Sequence, residues 1–152
     1  GWRLGFAAGP AALIQAMRKV HAYVIMCAPV PSQYGAIEAL REDALCDADI
    51  ARMREAYDER RKYLLGEFNR LGMTCFAPEG AFYVFPSIRQ TGLTSQEFCE
   101  RLLKEGGVAV VPGDAFGESG EGFVRISYAY SMEELKICIA KIEAFLQGNV
   151  HI

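Results

Sequence analysis

The chain has 152 residues, of which 51% are hydrophobic and 23% are charged, a balance that is typical of one ordinary folded domain. Its net charge of −3 and its scattered basic residues argue against nucleic acid or an anionic membrane as the main partner. The longest apolar stretch, residues 22–30, is about half as long as a helix that crosses a bilayer.

The cysteines and histidines narrow the possible chemistry further. The five cysteines are an odd number, are widely spaced and include no Cys-x-x-Cys pair. This pattern predicts reduced thiols in a cytoplasmic protein rather than a disulfide framework or a zinc site. Because His21 and His151 are the only histidines, a metal centre built from several histidines is excluded, and we expect no metal site.

The chain opens on a short apolar run that ends at the pair Gly9-Pro10. The run predicts a strand over residues 4–8, and the glycine–proline pair predicts its end. Because natural domains seldom begin within a strand, we expect this chain to be part of a longer protein.

Two helices are predicted next. Apolar residues at helical spacing predict the first helix over residues 11–28, and the segment Pro29-Val30-Pro31 is expected to end it. Ser32 is expected to cap the second helix, over residues 33–41.

A third, longer helix is predicted in the middle of the chain. It is expected to begin at Asp47 or Asp49 and to run to Leu71, with Gly72 as its C-terminal stop. At 1.5 Å per residue such a helix extends roughly 35 Å, which is long enough to bridge two domains.

The second half of the chain mixes strands with helices. The capping boxes Thr94-x-x-Glu97 and Ser131-x-x-Glu134 predict the starts of two helices. The predicted strands are residues 74–77, 81–86, 108–111 and 123–129. Because strands and helices do not alternate regularly, we predict an α+β fold with a small, mainly antiparallel sheet covered by helices.

Two arginines, Arg3 and Arg125, stand inside apolar segments and are the candidate binding residues. In the strand 123–129, alternate side chains point to opposite faces, so Arg125 lies on the face away from Val124 and Ile126. A guanidinium in such a place can bind a carboxylate or a phosphate through paired donors. Spacing alone favours the more common alternative for both arginines, which is a structural role such as a surface ion pair.

The glycine-rich loop that precedes this strand is a weaker candidate. Gly117-x-x-Gly120-x-Gly122 leads into a strand, whereas a phosphate-binding loop leads into a helix N-terminus. Turn geometry is therefore the favoured explanation of these glycines.

The order and spacing of several motifs resemble a known family. The segment Gly1-Trp2-Arg3-Leu4-Gly5 resembles the end of the lysine signature of fold-type I, class I/II pyridoxal-phosphate aminotransferases, which include the aspartate and aromatic enzymes. The remaining segments that are similar to the C-terminal part of that family are Ala28-Pro29-x-x-Ser32-Gln33-Tyr34, Pro78-x-Gly80-Ala81-Phe82-Tyr83, Val108-x-Val110-x-Pro112-Gly113-x-x-Phe116-Gly117 and Val124-Arg125-Ile126-Ser127-Tyr128-Ala129.

The resemblance implies roles for both arginines. Arg3 would bind the phosphate of pyridoxal 5′-phosphate, and Arg125 would bind the α-carboxylate of an amino-acid or 2-oxo-acid substrate. The parent protein would be a cytoplasmic, homodimeric aminotransferase. In the family, the Schiff-base lysine lies eight residues before the arginine that Arg3 matches. The position of that lysine would therefore fall before residue 1. No residue of this chain is therefore expected to be catalytic, and we expect the chain alone to be inactive.

The same resemblance implies a domain organisation. Residues 1–45 would be the trailing segment of the large α/β cofactor domain, with a strand and helices, and residues 46–149 would be the C-terminal small domain with its long linking helix. Residues 150–152 would be a tail. Two alternatives stay open, since one fold supports several activities: a pyridoxal-phosphate lyase or decarboxylase, and a non-catalytic dimerisation or interaction domain.

Overall fold

The structure is a computed structural model that describes residues 3–41 and 44–149. Gly1, Trp2 and the tail expected at residues 150–152 lie outside the described residues. The chain divides into two compact units, Gly1–Ala51 and Arg52–Ile152. The boundary falls within a long helix, so each unit is described by itself.

The first unit contains the helices α1 (Ala11–Val24) and α2 (Val30–Ala39). The predicted strand over residues 4–8 is wrong, since residues 3–10 have no regular secondary structure. The described part of this unit contains no strand, so the segment has no partner for a ladder of backbone hydrogen bonds. Apolar character alone cannot form a strand without such a partner.

The boundaries of α1 and α2 also differ from those expected. α1 ends at Val24, and Met26 just beyond it has a positive φ of 62°. α2 begins at Val30 with Pro29 as its N-cap, so Ser32 lies inside the helix and is not its cap. Pro31 is accommodated because the first turn of a helix has no intrahelical acceptor for its N–H groups.

The third helix, α3 (Ala44–Arg70), has 27 residues and is about 40 Å long at 1.5 Å per residue. It begins earlier than the aspartates that were expected to start it. Its end agrees with the prediction: Gly72 has a φ of 74°, and the N–H of Met73 donates to the carbonyl of Phe68 at 2.8 Å.

The second unit is built on a three-stranded antiparallel sheet, which confirms the α+β class. Its strands are β1 (Tyr83–Val84), β2 (Val111–Pro112) and β3 (Val124–Ser127), in the order β1-β3-β2. Each strand is shorter than predicted, and residues 74–77 contribute only the single bridge between Cys75 and Pro86.

Two helices follow the capping boxes, as predicted. They are α4 (Ser95–Arg101), which continues into a π-helical turn over Leu102–Gly106, and α5 (Met132–Asn149). In the first box, the N–H of Glu97 donates to the Thr94 hydroxyl at 3.2 Å and the N–H of Thr94 donates to Glu97 at 3.0 Å. The box at Ser131 and Glu134 has the same reciprocal pair.

One hydrophobic core joins the sheet to α3, α4 and α5. Its buried members include Leu64 and Phe68 of α3, Phe98 of α4 and Ile142 of α5. Aliphatic and aromatic burial of this kind is the main stabilising term of a small domain. The sheet is therefore held from one side by helices, and its other side carries the polar and aromatic residues described below.

An ion pair between α3 and α5 gives the second unit a testable dependence on pH. Arg70 donates to Glu143 at 2.7 Å, and this hydrogen bond lowers the pKa of the Glu143 carboxyl below its ordinary value of 4.5. The stabilisation by this ion pair is fully present at pH values above the ordinary pKa of the carboxyl. It is lost as the pH falls through the lowered pKa that Glu143 has in the folded protein. We expect Glu143→Gln to remove this part of the acid sensitivity, as measured by urea unfolding midpoints between neutral pH and about pH 3. Glu118→Gln, in an exposed loop, is the matched control, and a pH slope unchanged by Glu143→Gln would contradict the assignment.

Candidate functional site

The strand β3 separates a core face from an open face of the sheet. Val124 and Ile126 are buried on the core face, and Tyr128 continues it just beyond the strand, as the alternation predicts. Arg125 is only partly buried and lies on the opposite face. The register pairs Tyr83 with Ser127, so Tyr83 is the diagonal neighbour of Arg125 on that face.

Two aromatic rings flank the Arg125 guanidinium. Its central carbon lies 4.4 Å from the centre of the Tyr83 ring and 4.8 Å from the centre of the Phe116 ring. Both distances are within the range of a cation–π interaction. Tyr83 is in β1, and Phe116 is in the segment that follows β2; β1 and β2 lie on either side of β3.

Arg125 forms no salt bridge with any residue that the structure describes. The surface ion pair that spacing alone favoured is therefore not its role in the described part of the chain. A cation–π contact stabilises the charge of a guanidinium without supplying a carboxylate acceptor to its N–H groups. The donors of Arg125 are thus not used by a carboxylate of the described residues.

The aromatic cluster continues beyond Arg125 along the same face. Phe85 lies 6.1 Å from Phe116 and 5.8 Å from Phe123, measured between ring centres, and the latter pair is stacked. Arg89 lies over Phe123 at 4.9 Å. Phe85 thus packs against Phe116, one of the two rings that contact Arg125.

The glycine-rich segment 113–122, which carries Phe116, is shaped by its backbone. Gly117 and Gly122 have positive φ values of 124° and 82°, as the turn-geometry explanation predicts. A Cβ atom at Gly113 would collide with the carbonyl of Gly120, and one at Gly120 would collide with the carbonyl of Gly113. The two backbone segments therefore cross at a distance that only glycine permits. This crossing fixes the short loop between Gly113 and Gly120, and with it the position of Phe116.

The buried Ser95 ties this loop to the start of α4. Its hydroxyl accepts a hydrogen bond from the N–H of Gly122 at 2.9 Å and donates one to the carbonyl of Phe123 at 3.0 Å. Its own N–H donates to the carboxylate of Glu121 at 2.8 Å. The side chain is fully buried, so no water can replace these bonds.

Ser95→Ala is expected to destabilise the protein by about 1–3 kcal/mol, because it leaves the Gly122 N–H buried without an acceptor. Urea unfolding of the variant and the parent measures this difference. Ser119→Ala, at an exposed position of the same loop, is the control and should change the free energy of unfolding little. Equal stability of the two variants would show that Ser95 does not hold the loop.

A groove of about 360 Å³ opens beside Arg125. One wall is the continuous segment 107–111, and α5 contributes Glu134, Cys138 and Lys141. The groove brings Arg125 and Lys141 to one concave surface of the second unit. Its lining includes three charged residues, Arg125, Glu134 and Lys141, beside the apolar segment.

A strained residue lies close to this face. Ala81 has a positive φ of 59°, a region that residues with a Cβ seldom adopt. The hydroxyl of Tyr128 donates to the Ala81 carbonyl at 3.0 Å, and the N–H of Tyr128 donates to the carbonyl of Phe82 at 2.9 Å. These bonds hold the turn that leads into β1 and so help to place Tyr83.

Arg3, the second candidate, belongs to the first unit. It is exposed, has a positive φ of 55° and forms no salt bridge with another described residue. Its guanidinium donors are therefore not used by a carboxylate of the described residues.

Other kinds of site find no support in the part of the chain that is described. All five cysteines are free, and burial raises the pKa of the Cys99 thiol to about 11. Residues 3–41 and 44–149 contain no group of three side chains that could hold a metal ion. Within the same ranges, no helix has both the length and the apolar character needed to cross a membrane.

The sequence predicted the face of β3 on which Arg125 lies, but not the two rings that flank it. The sequence predicts Tyr83 in a strand and Phe116 in a loop motif. Neither position by itself predicts a contact with Arg125. The available signal is the alternation of Tyr83 and Phe85 in one strand with Phe123 and Arg125 in another. It becomes informative only once the pairing of the strands is known.

Comparison with known proteins gives one consistent family. The family described as aminotransferase class I and II matches residues 1–142. The aspartate aminotransferase of Pyrococcus abyssi is 47% identical over 147 residues, which are 97% of this chain and 38% of that protein. The aromatic-amino-acid aminotransferase 2 of Thermococcus litoralis is 43% identical with the same coverage.

Solved structures agree with this result. The structure of the aromatic aminotransferase from Pyrococcus horikoshii matches with a TM-score of 0.85 and 46% identity, over 97% of this chain and 39% of that one. The chain thus belongs to the class I and II aminotransferase family. It spans less than two fifths of the length of the relatives that it matches.

Proposed function

We propose that this chain is the C-terminal portion of a pyridoxal-phosphate-dependent amino-acid aminotransferase, in which Arg125 binds the substrate α-carboxylate. The observation that carries the proposal is the guanidinium of Arg125, flanked by two rings and without a carboxylate partner among the described residues. Family membership supports the reaction type, since the matched relatives bear the names of aspartate and aromatic aminotransferases.

The chemistry of Arg125 suits an amino acid or a 2-oxo acid. Both molecules carry a planar carboxylate, and the paired N–H donors of a guanidinium match its two oxygens. Binding through both oxygens fixes the orientation of the substrate as well as its position. Arg125 would therefore hold either substrate of an amino-group transfer in one pose.

Arg3 is the residue of this chain that would bind the cofactor. Arg3 is exposed and forms no salt bridge with a described residue, so its donors are suited to the phosphate of pyridoxal 5′-phosphate. When bound, this cofactor withdraws electrons from the α-carbon of the substrate, which is the chemistry that amino-group transfer requires. The contribution of Arg3 would be to retain the phosphate.

The domain organisation and setting follow from the same proposal. Residues 1–45 would be the trailing segment of the large cofactor domain, and residues 46–149 the small domain. We expect a homodimer, which is supported by exposed apolar side chains in the first unit such as Phe6, exposed by 90%, and Tyr23, exposed by 94%. The free cysteines favour the cytoplasm.

The proposal is tested by incubating the full-length protein and the 152-residue chain with pyridoxal 5′-phosphate, 2-oxoglutarate and either L-aspartate or L-phenylalanine. We expect the full-length protein to form L-glutamate and the 2-oxo acid of the donor in equal amounts, and the chain alone to form neither. Release of carbon dioxide or ammonia in place of L-glutamate would support the lyase or decarboxylase alternative. No turnover of either amino acid by the full-length protein would support a dimerisation or interaction domain.

A further inference from the structure

We infer that Tyr83 and Phe116 are positioning residues, which hold the Arg125 guanidinium so that its paired N–H donors stay available to a substrate carboxylate. The inference rests on the proposed function of Arg125. It adds two residues, from two separate segments, that act on the substrate through Arg125 and do not themselves need to touch it.

The two rings come from separate segments of the chain. Tyr83 is part of β1 and Phe116 lies beyond β2, and β3 with Arg125 runs between these strands. The ring centres lie 4.4 Å and 4.8 Å from the central carbon of the guanidinium. Two independent segments therefore converge on one cation, and each is fixed by its own contacts.

Rings in these positions stabilise the cation without an acidic partner. A buried or half-buried cation needs a compensating interaction, and the usual one is an acidic side chain. An acidic partner would occupy the same N–H donors that a substrate carboxylate needs and would compete with it. An aromatic ring stabilises the cation through its π-electrons and brings no carboxylate to compete for the N–H donors.

Each of the two rings packs against a further aromatic ring. Phe116 packs against Phe85 at 6.1 Å and stands in the loop that is fixed by the crossing of Gly113 and Gly120. Tyr83 packs against Phe82 at 4.7 Å. A guanidinium between such supported rings has few orientations to lose when a carboxylate binds, so less conformational entropy opposes binding.

The test uses the full-length protein with its cofactor and the better amino-acid donor of the assay above. Phe116→Leu and Tyr83→Val remove one ring each, whereas Phe116→Tyr and Tyr83→Phe keep it. Each ring-removing variant is expected to raise KM for the amino acid and for the 2-oxo acid by about threefold to thirtyfold. The expected kcat stays within about threefold of the parent, since the ring acts on carboxylate binding.

A second readout separates positioning from a general structural role. The α-carboxamide of the same amino acid serves as a competitive inhibitor that lacks the carboxylate charge. We expect the ring-removing variants to weaken binding of the amino acid but to leave the inhibition constant of the carboxamide within about twofold. Phe76→Leu, at a position that is 85% exposed, is the matched control and should change neither value.

The outcomes are distinguishable from failure of the proposed function itself. If Arg125→Lys leaves the KM values unchanged, Arg125 does not bind the substrate and both proposals fall. If Arg125→Lys raises them but Phe116→Leu and Tyr83→Val do not, the rings do not position Arg125 and only this inference is overturned. A loss in the ring-keeping variants as large as in the ring-removing ones would overturn it too. Because Phe116 is 54% exposed, its truncation leaves little cavity, and the Phe116 pair gives a result even where Tyr83→Val folds poorly.

Discussion

Replacing Arg125 by lysine in the full-length protein is expected to lower kcat/KM for the amino acid by roughly 10² or more. Lysine keeps the positive charge but loses the planar pair of donors that matches a carboxylate. Impairing one partner of a desolvated charge pair typically costs about 2–5 kcal/mol, and each 1.36 kcal/mol is a factor of about ten in rate. Cofactor affinity should stay within a few-fold of the parent, since Arg125 is assigned to the substrate.

The matched control for this variant is Arg101→Lys. Arg101 also lies over an aromatic ring, at 5.9 Å from the centre of Phe145, but it is on α4 and outside the proposed site. Steady-state kinetics and a cofactor titration on both variants separate substrate binding from structural damage. Lower thermal stability of Arg125→Lys with near-normal kcat/KM would remove Arg125 from the substrate site and leave it a structural residue.

Replacing Arg3 by alanine is expected to weaken cofactor retention while leaving carboxylate binding intact. The phosphate carries nearly two negative charges, and a hydrogen bond to a charged group is worth about 1.5–3 kcal/mol. At about 1.4 kcal/mol for each factor of ten, the dissociation constant of pyridoxal 5′-phosphate should rise by about 10- to 100-fold. Fluorescence titration of the apo form of the full-length protein with the cofactor measures this change.

The control for Arg3→Ala is Arg18→Ala, which removes an exposed arginine of α1. At saturating cofactor, the Arg3 variant should regain most of its activity, because the defect is one of retention. An unchanged dissociation constant in the Arg3 variant would refute the phosphate assignment. Loss of activity that saturating cofactor does not restore would show that Arg3 acts on the reaction rather than on retention.

Local signals in the sequence predicted local features of the fold well. Both capping boxes form as expected, because the reciprocal hydrogen bonds of Thr94 with Glu97 link residues only three positions apart. Gly72 ends α3 for a similar reason, since a positive φ is a property of one residue. The alternation in β3 placed Arg125 opposite the buried Val124 and Ile126 without any knowledge of the neighbouring strands.

Features that depend on a distant partner were harder to predict. The expected strand over residues 4–8 does not form, because the described part of its unit offers no strand to pair with it. The flanking of Arg125 by Tyr83 and Phe116 depends on strand order and on the loop that Gly113 and Gly120 close. Neither feature can be predicted from the spacing of a short segment, so the sequence predicted the face on which Arg125 lies but not the residues around it.

The most direct test of these assignments is a crystal structure of the full-length protein with pyridoxal 5′-phosphate and 2-oxoglutarate. Our account predicts that the carboxylate next to the 2-oxo group accepts two hydrogen bonds from Arg125, with N···O distances of about 2.7–3.0 Å. It also predicts that Arg3 donates to the cofactor phosphate. A 2-oxoglutarate molecule whose 2-oxo end is bound elsewhere, with the Arg125 donors paired to an acidic side chain of the protein, would contradict it.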